Sequence, residues 1–244
     1  MQLKIPLLIL LSGLTTGIFS AVTPLRAVHR LSIYGSNCFI LETDSSLIMI
    51  DAGYPGGEKK ILSTISKLAR PLRLIVLTHG HFDHYGSADA VHKVTGAPVA
   101  VFYLDAEYVC NGTTPLDSVR GYGRLGKRIL PLAERVFKPA AVCPDIELHD
   151  GDSLDRFGLR ADIIHTPGHT NGSISILVQD SIVFVGDLLT VTLFVDKQRF
   201  FAQSWSAIDE SVKKLLHYRF EKVYIGHTGR IANRKTLRKL VGKK

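Results

Sequence analysis

Cysteine is scarce in this chain of 244 residues: Cys38, Cys110 and Cys143 are odd in number and lack the spacing of thiolate metal ligands. That excludes a disulfide-dense framework and predicts free or buried thiols. Low-complexity tracts and repeats of solenoid period are also missing, which excludes array architectures. Acidic residues nearly vanish at the C-terminal end, where Lys213 to Lys244 hold eleven Lys or Arg against the single acid Glu221. This balance of +10, set against +8 for the whole chain, leaves about −2 for residues 1–212, so the basicity belongs to one solvated C-terminal face. Such a face could meet nucleic acid or anionic lipid. The rest is ordinary globular composition, 45% hydrophobic and 21% charged, at a length that buries a sizeable core as one α/β unit.

Between Lys4 and Arg26 there is no charge, and residues 5–22 are apolar with small residues near Ser20 and Ala21. A positive start, an apolar centre and a small-residue end predict a secretory signal or uncleaved anchor in residues 1–25. The protein is then secreted or membrane-anchored, and residues 5–22 are the route to a membrane. The alternative is an apolar extension packed on a cytoplasmic domain.

From residue 26 onward strands and helices alternate. Strands are predicted at Val28–Ile33, Asn37–Glu42 and Leu47–Ile50. Ile61, Leu62, Ile65 and Leu68 then recur at helical spacing and a buried strand runs to Leu77. A helix over Ser87–Thr95 stops at Gly96, and Pro98–Phe102 is another strand. Residues 103–142 lose this regularity and read as an insertion over the domain, with one helix over Leu125–Phe137. Further strands fall at Ile146–Leu148, Leu159–Ile164, Ser173–Val178, Ser181–Val185 and Lys222–Ile225, with helices over Trp205–Leu216 and the basic end. This order predicts a layered α/β fold.

Four of the apolar runs end on a metal-ligating type of residue. His79, His81, Asp83 and His84 follow Leu74–Leu77; His169 follows Ile163-Ile164 through Thr166-Pro167-Gly168; Asp187 follows Ile182–Gly186; His227 follows Val223–Gly226. Loops leaving the carboxyl ends of strands share one edge of an α/β sheet, where sites are built. An ionised Asp187 behind an apolar run is costly to bury unless a cation compensates it. Seven N and O donors without a thiolate suit zinc, with iron or manganese as the other fits. Seven exceed one tetrahedral ion and match two ions that share a bridging carboxylate.

This set resembles the dinuclear pattern of the metallo-β-lactamase superfamily, and Leu47–Gly53 is similar to that superfamily's early strand ending in Asp-x-Gly. The resemblance implies a four-layer αβ/βα sandwich (the metallo-β-lactamase fold) over residues 26–244. It implies two zinc ions per chain, His79, His81 and His169 on one, Asp83, His84 and His227 on the other, and Asp187 between. Asp51 and Thr78 would orient ligands. The implied reaction is attack by a metal-bridging hydroxide on a small ester, thioester or lactone, with Asp83 as the catalytic residue that orients it and passes its proton on. Asp187 in place sets the chain apart from two-zinc β-lactamases. His81, where the flavin-partnered diiron members carry Glu, disfavours an oxidoreductase. Only 17 residues follow His227, too few for the helical extension by which glyoxalase II binds glutathione.

The other readings are a phosphodiesterase or nuclease of the same superfamily, served by the basic C-terminal face, and a metal-binding sensor without turnover. His29, His92, His149, His165 and His217 read as surface or packed histidines. Tyr85 reads as packing, and Phe194, Phe200, Phe201 and Trp205 as a pocket wall or a lid on the core.

Overall fold

The computed structural model of the protein describes residues 22–116, 118–137 and 139–241. The signal or anchor expected over residues 1–25 therefore falls almost wholly outside the described residues. Among those described, no helix is long and apolar enough to cross a membrane.

Strands β1 (Ala27–Ile33), β2 (Ser36–Glu42) and β3 (Leu47–Ile50) form an antiparallel meander. Helix α1 (Glu58–Leu68) then leads to β4 (Leu72–Val76), parallel to β3. The short α2 (Phe82–Tyr85) and α3 (Ala88–Thr95) precede β5 (Val99–Phe102). Next come α4 (Ala106–Asn111), β6 (Ser118–Val119) and α5 (Gly123–Phe137), and β7 (Ile146–Leu148) closes a six-stranded sheet ordered β1-β2-β3-β4-β5-β7.

The second half adds β8 (Ala161–His165), β9 (Ile174–Val178), β10 (Ile182–Phe184), the hairpin β11 (Leu189–Val191) with β12 (Val195–Lys197), and β13 (Phe201–Ala202) paired with β6. Helix α6 (Trp205–Leu215), β14 (Lys222–Tyr224), β15 (Ile231–Asn233) and α7 (Arg234–Leu240) complete it. The second sheet runs β15-β14-β10-β9-β8.

Alternation along each strand builds the layers, because successive side chains point to opposite faces. Phe39, Leu41, Ile48, Ile50, Leu74 and Val76 of the first sheet meet Ile163, Ile174, Ile176 and Phe184 of the second in one shared core. Their neighbours Cys38, Ile40, Met49 and Ile75 face outward under Ile61 of α1 and Val91 of α3. On the far side Leu177, Val183 and Val223 pack under Ile208 and Val212 of α6 and Leu237 of α7. The result is a four-layer αβ/βα sandwich.

One expectation changes. Cys110, at the end of α4, is bonded to Cys143, 33 residues on, and only Cys38 is a free, buried thiol among the described residues. The odd count concealed one pair, which forms because the two ends of the irregular segment return to the same place. The aromatic-rich stretch after Asp187 forms the β11–β12 hairpin and β13, elements too short for a periodicity to show.

Candidate metal centre

Parallel pairing of β3 with β4 and of β10 with β14 sends the carboxyl ends of these strands to one edge of the sandwich. All seven sequence-predicted residues converge there. Beyond β4 the chain stays extended at His81, then makes one helical turn in α2, which buries Phe82 and Tyr85 together. That turn separates His79 and His81 from Asp83 and His84.

His79, His81 and His169 form one group, with His81 Nδ1 2.9 Å from His169 Nε2 and ring centroids of 4.7 Å from His79 to each of the others. Asp83, His84 and His227 form the second: His227 Nε2 lies 3.3 Å from Asp83 Oδ2 and 3.4 Å from His84 Nε2. Asp187 stands between, its Oδ2 3.1 Å from His227 and 3.6 Å from His169, its Oδ1 3.5 Å from His84. Within the triads His79–His81–His169, His79–His84–Asp187 and Asp83–His84–His227, one ligand atom per residue lies within 4.8 Å of the others. Tetrahedral zinc with bonds of roughly 2.0–2.1 Å draws ligand atoms to about 3.3 Å apart, so small adjustments would close these sets.

Each imidazole is oriented through its other nitrogen. His81 Nε2 donates to the carbonyl of Pro115 at 2.7 Å, His169 Nδ1 to that of Phe201 at 3.0 Å and His227 Nδ1 to that of Gly35 at 3.1 Å. His84 Nδ1 donates to Asp51 Oδ2 at 2.8 Å. The Thr78 hydroxyl donates to that same oxygen at 2.9 Å and accepts from His79 Nδ1 at 2.9 Å. Asp51 is held in a left-handed conformation, φ +57°, which aims its carboxylate at both partners. Buried, otherwise satisfied histidines would have no need of a further partner. Here the free nitrogen of His79 and Oδ1 of Asp187 are buried without any hydrogen bond, a costly arrangement that a cation relieves. The residues present therefore fit a pair of divalent ions.

The electrostatics agree. Burial pushes His79 well below the usual imidazole range, and neighbouring histidines push the same way. Burial also lowers His169, against Asp187, and lowers His81 to about 4, helped by His169. These three are neutral donors at neutral pH. Burial would raise Asp83 and Asp187, but His84 and His227 outweigh it and hold both carboxylates below their usual range. Burial opposes charge on His84 and His227 as well; carboxylates prevail, with Asp51 foremost in raising His84 to about 9 and Asp187 in raising His227.

Two glycines are required by close approach. A Cβ on Gly186, already at φ +50°, would come 2.7 Å from Thr78 Oγ1. One on Gly226 would strike Asp187 Oδ1 and His84.

The sequence reading missed Asp105 and Asn37. Asp105 is fully buried beyond β5; its carboxylate accepts from Gly80 N at 2.7 Å, the Thr170 hydroxyl at 2.6 Å and Gly172 N at 3.0 Å, tying the two loops that carry the first triad. An acid shortly after the apolar run Val99–Phe102 was the available signal. Asn37 donates through Nδ2 to the carbonyls of Ile225 and Thr228, fastening the His227 loop. Other residues take structural roles. Tyr85 is buried and its hydroxyl donates to Thr113 O, while His165 stacks on Phe102 at 4.3 Å. Helix α7, which carries much of the basic end, begins where β15 pairs with the start of β14, the sheet end opposite the metal edge.

Comparison with known proteins follows the same line. The family model described as the metallo-beta-lactamase superfamily matches residues 32–227. A probable metallo-hydrolase of Streptococcus pyogenes serotype M6 is 33% identical over 162 residues, covering 64% of this chain and 63% of that one. Among solved structures the chain resembles the B3 metallo-β-lactamase BLEG-1 (TM-score 0.69, 23% identity, 89% of this chain and all of that one). It also resembles TTHA1623 in a di-iron-bound form (TM-score 0.63, 23% identity, 89% and 99%). At these identities the two structures speak for the fold.

Proposed function

This chain belongs to the metallo-β-lactamase superfamily, and from that membership and the geometry of its site we propose that it is a dinuclear zinc hydrolase acting on a small ester, thioester or lactone. The supporting observation is the pair of orphaned buried atoms, His79 Nε2 and Asp187 Oδ1, at the centre of seven converging donors. His79, His81 and His169 would hold one ion, Asp83, His84 and His227 the other, and Asp187 would contact both. Two such ions supply a hydroxide near neutrality, by lowering the pKa of water from 15.7 towards about 7, and polarise the acyl oxygen. N and O donors without thiolate favour zinc, with iron and manganese as the other fits; the di-iron form of TTHA1623 shows iron in this fold.

The protein's own groups do the rest. Asp83 is 15% exposed in its side chain, the most open carboxylate of the centre, and is kept ionised by His84 and His227. It can accept a proton from the attacking water and pass it to the leaving oxygen or sulfur. Asp51 and Thr78 keep the His79 and His84 rings in one tautomer. Tyr54, which burial and then the charges of Asp83 and Asp187 keep in its phenol form, packs edge-to-face on Phe82 and at a tilt on Phe137, an apolar wall beside the centre.

Export or anchoring through residues 1–25 belongs to the same reading, supported by the Cys110–Cys143 disulfide, since such bonds persist in oxidising compartments. The test is a panel of thioesters, lactones, nitrocefin and bis-nitrophenyl phosphate with wild type and Asp83→Ala, beside metal analysis. About two ions per chain and acyl hydrolysis that the substitution abolishes are expected; fewer than one ion, or turnover indifferent to Asp83, overturns the reading.

A further inference from the structure

Helix α5 runs between Phe201 and Tyr54, two residues beside the metal centre, and its apolar residues divide into two faces. One face looks inward. Gly126 lies against the ring of Phe201, whose carbonyl orients His169; Leu130 and Ala133 pack on the core; Phe137 reaches Tyr54, with ring centroids 5.3 Å apart. The other face is open: Leu125, Ile129, Leu132 and Val136 are 62%, 50%, 61% and 66% exposed. At roughly 100° per residue these four fall within an arc of about 60°. Arg124, Arg128 and Arg135, all exposed, form a parallel strip on the side away from the core. Soluble proteins rarely leave so regular an apolar stripe in water without a partner for it. A second exposed apolar point stands nearby. Leu193 and Phe194, at the tip of the β11–β12 hairpin, are 78% and 76% exposed, and Thr192 of that tip lines one cavity with Tyr122 at the start of α5.

We infer that this face is a docking surface for an anionic phospholipid membrane, with the apolar stripe entering the headgroup boundary and the arginines pairing with lipid phosphates. An apolar stripe bordered by cations is the pattern of a helix lying in a membrane interface. Charge disfavours an antiparallel two-fold pairing of the stripe with a second copy, which brings the two guanidinium rows to the same side of the seam. The inference does not depend on the proposed chemistry, since its test reads binding alone.

The full-length protein is sedimented with vesicles of phosphatidylcholine containing phosphatidylglycerol, and with phosphatidylcholine alone. Binding to the anionic vesicles that weakens with salt and with Arg128→Gln, and falls at least about tenfold in the double variant Leu132→Gln, Val136→Gln, supports the inference. These positions are exposed, and an unchanged thermal midpoint confirms that the variants are folded. No binding to anionic vesicles overturns it. So does binding that the double variant leaves intact, which would then reside in residues 5–22, or a concentration-dependent dimer that the double variant dissolves.

Discussion

The carboxylate of Asp105 accepts a hydrogen bond from the hydroxyl of Thr170 at 2.6 Å, and in doing so joins two loops that are 65 residues apart in the chain. With Gly80 N on the same oxygen, it fixes His79, His81 and His169 relative to one another. Asp105→Asn, which keeps the shape but presents donors to donors, is expected to weaken metal at this triad by about 10–100-fold. Zinc titration should show one tight site remaining, built on Asp83, His84 and His227. Equal weakening of both sites would mean that Asp105 supports the fold at large.

His84 has a second consequence. Its value of about 9 lies above the ordinary 6.5, so its contribution to the stability of metal-free protein is complete below pH 6.5 and is lost as pH rises to about 9. His81, lowered to about 4, acts in the opposite sense: its contribution is present above 6.5 and is lost as pH falls towards 4. The metal-free protein should therefore be most stable near pH 6.5. Because His84 must shed a proton to bind a cation, calorimetry of zinc binding at pH 7.5 in buffers of different ionisation enthalpy should reveal proton release. A buffer-independent heat would contradict the protonated His84.

Gly226 borders both Asp187 and His84 so closely that a methyl group has no room. Gly226→Ala should lower stability by about 1–3 kcal/mol, as overpacking does. It should also reduce zinc content towards one ion per chain. Retention of two ions would show that the His227 loop can retreat.

The Cys110–Cys143 bond encloses α5, β6 and Pro115, whose carbonyl orients His81. Replacing both cysteines by serine should cost about 2–4 kcal/mol, read from denaturant unfolding. The same change should loosen zinc at the His81 triad more than at the His84 triad, a difference that competition with a chelator measures.

All seven proposed ligands could be read from sequence because each is a metal-ligating residue type placed where an apolar strand ends, and burial there demands a partner. The strands themselves were legible for the same reason: Leu47–Ile50 and Leu74–Leu77 are apolar on both faces, as a sheet covered by helices on one side and a second sheet on the other requires. The groups that aim the imidazoles were not. Gly35, Pro115 and Phe201 contribute main-chain oxygens, and a carbonyl has no signature in residue identity. Asp105 could have been found, since a buried acid beside a strand end obeys the rule that revealed Asp187. The helical period of α5 was visible, but which of its two apolar faces met the core depended on Phe201 and Tyr54, distant in the chain.

That three of the five imidazoles lean on main-chain oxygens has an evolutionary corollary. Other amino acids at 115 or 201 present the same oxygen, provided that the loop keeps its path, whereas Gly35 stands at φ +99°, a conformation that favours glycine. The stretches around 115 and 201 can thus exchange side chains, and with them the molecules they admit, while the imidazoles keep the oxygens that aim them.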